Sequence, residues 1–247
     1  MNTKSEQPGL DIFLRKLLSH SPLPAEDQAA IAALPHSVRH LEPNSYILRE
    51  GERSGVCPIL CAGFAYRQKS TQEGGRQIVA LKIPGDALDF QSLYVRTIDH
   101  NLQALTTVDL VIVALSDFEK LIANRPAIAR AIIVDILIEA SIGREWLLNL
   151  GRRNALSRLA HLLCELHYRL LDTKSDGLDA RDVPMTQEQL ADLLGLTPVH
   201  INRTLKELER RGAVARHGRG VRLGAIATLR SLADFSDTYL HRSNLAD

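Results

Sequence analysis

The sequence predicts an α+β chain in which an N-terminal antiparallel β-roll is followed by a long helix and a C-terminal winged helix-turn-helix. Three observations carry that prediction. Between Ser37 and Ala114 short apolar runs alternate with turn residues, which is the mark of a small antiparallel sandwich or barrel. From Pro126 to about Leu150 the apolar period becomes helical and stays so. From Met185 to Leu208 two short amphipathic helices flank a glycine.

A chain of 247 residues with 45% hydrophobic content suits one large domain or two modest ones with a real core. The order of elements divides it into N-terminal helices (1–34), a β-roll (35–122), a long helix (123–151) and a winged helix-turn-helix (152–247). Met1 to Leu10 is polar and lacks the basic-then-apolar pattern of a secretion signal. The richest apolar run, Ala131 to Ile142, is broken by Asp135, Glu139 and Ser141 and is too short to span a bilayer. Three cysteines, Cys57, Cys61 and Cys164, fit neither a disulfide framework nor a four-ligand metal set. The expectation is a protein of the reducing cytoplasm with no membrane partner.

Leu10, Phe13, Leu14 and Leu17 have helical spacing, and Pro22 and Pro24 separate that helix from a second, Ala25 to Ala33. Both read as cover helices. Strands follow at Val38–Leu41, Tyr46–Leu48, Cys57–Cys61, Gly63–Gln68, Arg76–Ile83, Asn101–Thr106 and Leu110–Leu115, with turns at Glu42-Pro43-Asn44, Glu50-Gly51-Glu52, Glu73-Gly74-Gly75 and Pro84-Gly85-Asp86. Ser116-Asp117-Phe118-Glu119 opens a short helix, and Pro126 opens one on the order of 36 Å long. Nine of the twelve residues from Ala131 to Ile142 are apolar, more than one buried face requires. That surplus predicts a second partner besides the β-domain, the same helix of another subunit, the alternative being a helix buried wholly within the monomer. An amphipathic helix from Ala155 to Leu171 and a polar loop from Asp172 to Pro184 lead into the helix pair. Ile226, Leu229, Leu232, Ala233 and Leu240 mark one closing helix.

Thr186 stands where an N-cap belongs, and Gln189 completes a capping box. Leu190, Leu193 and Leu194 share a face, and Gly195 can take the positive φ that stops the helix. Thr197 and Pro198 restart it as cap and first residue. Ile201, Leu205 and Leu208 bury one side of the second helix, and the other carries His200, Asn202, Arg203, Lys206 and Arg210. Such a helix can enter the major groove of double-stranded DNA. Downstream, Ala213 to Leu223 reads as two short strands around a glycine-rich turn with Arg216, Arg219 and Arg222, which is a wing. From His200 to Arg222 seven basic side chains face two glutamates, a local +5 in a chain of net +1. The predicted DNA-binding residues are Thr186, Gln187, Thr197, Pro198, Val199, His200, Asn202, Arg203, Lys206, Arg216 and Arg219.

In this order and at this length, these elements resemble the Crp/Fnr family of bacterial transcription regulators, over roughly residues 35 to 240 and most closely from Thr186 to Val214. The resemblance implies a homodimer with a cyclic-nucleotide-binding-like β-roll, joined through the long helix and reading a two-fold symmetric site, with RNA polymerase as a further partner if the protein activates. Thr197 and Arg203 match the cap and the last arginine of the family's recognition helix, but Pro198 and Val199 stand where it has a polar pair. That departure changes the expected operator, because these two offer apolar contacts such as one to a thymine methyl.

The effector domain departs further. Gly85-Asp86 matches the opening of the family's cyclic AMP cassette, yet Asp89-Phe90 occupies its Gly-Glu place and His100-Asn101-Leu102 its Arg-Ser-Ala place. An aspartate repels a phosphate, and phenylalanine cannot accept from a ribose hydroxyl. Arg96-Thr97 offers a substitute only with a four-residue register shift, and counting back from Arg158, which matches a family arginine, Gly143-Arg144 falls at the adenine-contacting pair. Cyclic AMP is therefore not the expected effector. Asp89, Phe90, Arg96, His100, Asn101 and Arg144 remain the candidate residues for an unidentified small molecule. An iron-sulfur cluster would need cysteines before Cys57, His100 could ligate haem or a metal although a lone loop histidine is more often simply polar, and a cupin-type metalloenzyme would need a His-x-His plus Glu/His set on neighbouring strands. No catalytic residues, metal ligands or resident cofactor are expected. The alternative to a DNA-centred regulator is a small-molecule, redox or haem sensor in which DNA binding is only the output.

Overall fold

The computed structural model describes residues 8–173, 179–218 and 220–242. They form two compact units, one made of the chain up to Arg67 plus Leu81–Ile136, the other of Gln68–Ala80 plus the chain from Leu137 on.

In the first unit the strands β1 (His36–Leu41), β3 (Val56–Ala62) and β7 (Val108–Ala114) pair antiparallel in the order β1-β7-β3. β2 (Tyr46–Leu48), β4 (Ala65–Ser70), β5 (Arg76–Lys82) and β6 (Asn101–Ala104) form a second sheet in the order β2-β6-β4-β5. β7 shows why its sequence is almost continuously apolar. Val111 and Val113 face one core, Val108 and Leu110 the other, so both pleat faces are buried. One core fills the space between the sheets, with Leu60, Leu88, Leu102 and Leu110 at its centre. The other lies under the cover helices α1 (Asp11–Leu18) and α2 (Ala25–Ala32), α3 (Leu115–Asn124) and the start of α4 (Pro126–Arg152). Phe13, Phe90 and Phe118 meet there with ring centroids 5.4–6.2 Å apart. The register of β3 slips between Leu60 and Ala62, so a bulge falls at Cys61; Cys57 is nonetheless buried in the same core against which Cys61 packs.

Lys16 on α1 reaches Asp86 (2.8 Å) and Asp135 (2.7 Å), both nearly buried. Desolvation works against its charge, but the two carboxylates outweigh it and hold the ammonium above its ordinary range. Asp135, which the sequence pattern reads as an interruption in an apolar run, is thus an anchor between α4 and α1.

In the second unit, α5 (Ala155–Thr173) packs on the helix that follows the wing and on α7 (Pro198–Arg210), which in turn packs on α6 (Gln187–Leu194). Around Glu165, which is fully buried, Trp146 donates at 3.0 Å, Tyr239 at 2.9 Å, and Arg169 pairs at 3.3 Å. This web ties α4, α5 and the C-terminal segment together. Two elements differ from expectation. The polar loop before α6 contains a short strand β8 (Asp182–Val183), which pairs with β10 (Gly220–Leu223) beside β9 (Val214–His217) and makes the wing three-stranded. The closing helix is two pieces, α8 (Ile226–Ala233) and a single 3-10 turn at Thr238–Leu240. Asp234 takes φ 48°, a left-handed conformation that ends α8. Among the described residues no helix is long and apolar enough to cross a membrane.

Candidate nucleic-acid interface

The helix pair is set by local chemistry. The Thr186 side chain accepts from the Gln189 N–H at 3.2 Å while Gln189 Oε1 accepts from the Thr186 N–H at 2.9 Å, so two otherwise orphaned donors are satisfied. Gly195 ends α6 at φ 61°, where a side chain would be strained. Thr197 caps α7 by accepting from the His200 N–H at 3.3 Å, and its hydroxyl also meets His200 Nδ1 at 3.0 Å. Each cap contributes about 1 kcal/mol.

Beneath the turn sits Arg158. Its guanidinium donates to Leu194 O at 2.6 Å, Leu150 O at 2.9 Å and Arg153 O at 3.0 Å, satisfying carbonyls at the ends of α6 and α4. Burial pulls its pKa below the ordinary value. Nearby, Gln77 donates to Leu193 O at 3.0 Å and Arg76 pairs with Asp192. The sequence picks out Arg158 as a family match; its position as the clamp under the turn emerges only when the fold brings the Leu194 carbonyl beside those of Leu150 and Arg153.

With Ile201, Leu205 and Leu208 buried, α7 turns Pro198, Val199, His200, Arg203 and Lys206 to the exterior. Asn202 is half-buried because its Nδ2 donates to Gln187 Oε1 at 3.1 Å, joining the start of α6 to α7. Gln187, Pro198, Val199, Asn202, Arg203 and Lys206 line one shallow concavity. Thr186, its side chain held in the capping box, and Gln187 are both partly exposed at the start of α6.

The charges divide sharply. Among the described residues Arg203 and Lys206 have no ion-pair partner. Arg210 and Arg211 share Glu207, Arg216 lies 3.3 Å from Glu209, and Arg222 meets Asp179 and Asp182 at 2.7 and 2.8 Å. The surplus counted from the sequence is already net of Glu207 and Glu209, and Asp179 and Asp182, from before α6, lower it by two more. Arg219 lies outside the described residues.

The candidate effector residues divide between the two units, and within the first Asp89 and His100 share Arg67 and Asp99 as charged neighbours. Asp89 and His100 are buried, and His100 Nδ1 lies 2.8 Å from Asp99. Burial pushes the Asp89 carboxyl up against the opposing pull of Ser92 and Arg67, and burial pushes the His100 imidazole down against the pull of Asp99. Phe90 is packed between Phe13 and Phe118, Arg96 is exposed, and Asn101 accepts from the Glu50 N–H at 3.1 Å. Arg144 is exposed on the part of α4 that belongs to the second unit. Burial holds the thiols of Cys57 and Cys164 at about 12 and that of Cys61 at about 11, far from thiolate character at neutral pH. Among the described residues no group of three or more His, Cys, Asp or Glu side chains is placed to hold a metal ion.

Comparison with known proteins bears on the same two regions. Residues 157–232 match the family model of the Crp-like helix-turn-helix domain, and residues 38–125 that of the cyclic nucleotide-binding domain. The chain is 35% identical over 211 residues to the nitrogen fixation regulation protein FixK of Bradyrhizobium diazoefficiens, covering 84% of this chain and 87% of the relative. To the transcriptional activator protein FnrL of Cereibacter sphaeroides it is 27% identical over 184 residues, 73% of each chain. Its fold is similar to that of FixK2 from Bradyrhizobium japonicum, with a TM-score of 0.72 at 24% identity over 82% of this chain and 100% of that one.

Proposed function

The chain belongs to the Crp/Fnr family of DNA-binding transcription regulators, and from that premise we propose that it works as a homodimer joined along α4, whose two α7 helices read the halves of a two-fold symmetric operator. The observation that carries the dimer is a stripe on α4. Ile133 (54% exposed), Ile136, Leu137 (60%), Leu147 (72%) and Leu148 recur at helical spacing with exposed Ala140 and Gly143 between them. Ile133, Ala140 and Leu147 are seven residues apart, the repeat of a two-helix seam. A second copy of the same helix buries this stripe symmetrically, and a two-fold protein matches a two-fold site.

On each half-site α7 supplies the base-reading surface through Pro198, Val199, His200, Asn202 and Arg203. Lys206 and the start of α6, with Gln187, meet the phosphates, and Arg216 adds a wing contact by exchanging Glu209 for the backbone. Cyclic AMP is not the effector in this reading. Phe90 is committed to an aromatic core, and buried Asp89 would repel a cyclic phosphate.

Light scattering of the full chain is expected to give a dimer, and Leu137→Glu with Leu147→Glu a monomer. Footprinting on its own promoter region is expected to show a two-fold symmetric, salt-sensitive site. A monomeric wild-type chain, or a footprint without symmetry, contradicts the proposal, as does tight cyclic AMP binding by isothermal titration.

A further inference from the structure

Val199 is 78% exposed, the highest value among the large hydrophobic side chains of the described residues. It occupies the second position of α7, directly after Pro198, on the turn that a helix-turn-helix points at base edges. The concavity it shares with Gln187, Pro198, Asn202, Arg203 and Lys206 has a volume of about 450 Å³. Pro198 and Val199 make it apolar, two amides and two free cations make its rim polar, and no carboxylate lines it. The Asn202–Gln187 hydrogen bond fixes one side of that rim. Arg203 stands four residues after Val199 and so lies on the same face, one turn along.

The chemistry of the major groove contains one apolar group, the thymine C5-methyl, and arginine's most frequent base contact is the bidentate one to guanine O6 and N7. We propose that Pro198 and Val199 form a seat for a thymine methyl, next to a guanine held by Arg203, so that a T beside a G is the fixed element of each half-site. This rests on α7 being the DNA-reading helix. The two cations and the apolar pair together match that base step. Adenine and cytosine would turn an exocyclic amine toward the apolar pair.

The test separates the two layers. Sequences bound by the full-length wild-type protein are selected from a random DNA pool, and each thymine of the best operator is then replaced by deoxyuridine, which removes only the methyl. At one thymine per half-site the replacement is expected to weaken binding about fourfold, the effect of one buried methyl-sized group, and about fifteenfold when both half-sites are changed. In Val199→Ser, thymine and uracil at that position should bind alike; because Val199 is solvent-exposed, the variant should retain the wild-type circular dichroism melt. Sequence-specific binding that is indifferent to every uracil replacement overturns the thymine seat alone, as does an unchanged uracil penalty in Val199→Ser. Absence of any sequence preference overturns the reading of α7 as well.

Discussion

The middle of the outer face of α7 and the wing both carry basic side chains, yet they hold them in opposite states. Arg203 and Lys206 project from α7 without ion-pair partners among the described residues, whereas Arg216 and Arg222 in the wing each meet carboxylates. Charge density along a sequence therefore does not say where charge is available. What decides it is which acidic residues the fold returns to the same place: Asp179 and Asp182 lie some forty positions before Arg222 and still neutralise it.

The first way to break this contrast is to disturb the scaffold beneath α7. Arg158→Ala removes three charge-assisted bonds to Leu194, Leu150 and Arg153 and should cost about 3 kcal/mol of stability. Denaturant unfolding checks it, and DNA binding should fall with the loss of the fixed turn. A variant as stable as wild type would remove Arg158 from the account.

A second test uses the core of the same unit. His161 is buried and stacked against Tyr239 (centroids 5.7 Å apart), and burial together with Arg153 lowers its pKa to about 3. Glu145 lies 3.2 Å from the ring but is itself engaged by Arg153 at 2.7 Å, so its pull is spent. The unfolded chain titrates this histidine near 6.5. Its stabilising contribution is therefore complete above that value and is lost progressively as pH falls from 6.5 toward 3. Urea midpoints at pH 7 and 5 should show wild type losing about 1–2 kcal/mol more than His161→Phe. Equal losses would contradict the assignment.

A smaller effect sharpens the contrast directly. Lys206→Ala should weaken binding to all DNA sequences alike, by about threefold to tenfold, and reduce the slope of log affinity against log salt by about one per protomer. Arg216→Ala, which must first give up Glu209, should change affinity by no more than about twofold.

Legibility in the sequence follows the range of the interactions. The helix pair was readable because Thr186 with Gln189, Gly195, and Thr197 with Pro198 act within four residues of each other, and the structure places each where the pattern puts it. Strand edges moved by one or two residues: the expected Leu110–Leu115 is Val108–Ala114, because pairing with β1 and β3 sets its ends. β8 was hidden, since two residues have no period and become a strand only against β10. The break at Asp234 was hidden too, for the apolar spacing runs on through it to Leu240. Within the candidate site the exposed residues were readable and the neutralised ones were not. Lys16 with Asp86 and Asp135, and Glu165 with Trp146 and Tyr239, join residues that no local pattern connects.

The central claim is that DNA is read by the free face of α7 and not by the wing, although both lie in the most basic stretch of sequence. Fluorescence anisotropy of the selected operator and of a scrambled duplex, titrated at one salt concentration with wild type, Arg203→Ala and Arg222→Ala, tests it most directly. The account predicts that Arg203→Ala loses about 30-fold in operator affinity and most of its preference over the scrambled duplex, while Arg222→Ala stays within about twofold of wild type on both. Equal losses in the two variants, or a larger loss from Arg222→Ala, would contradict it.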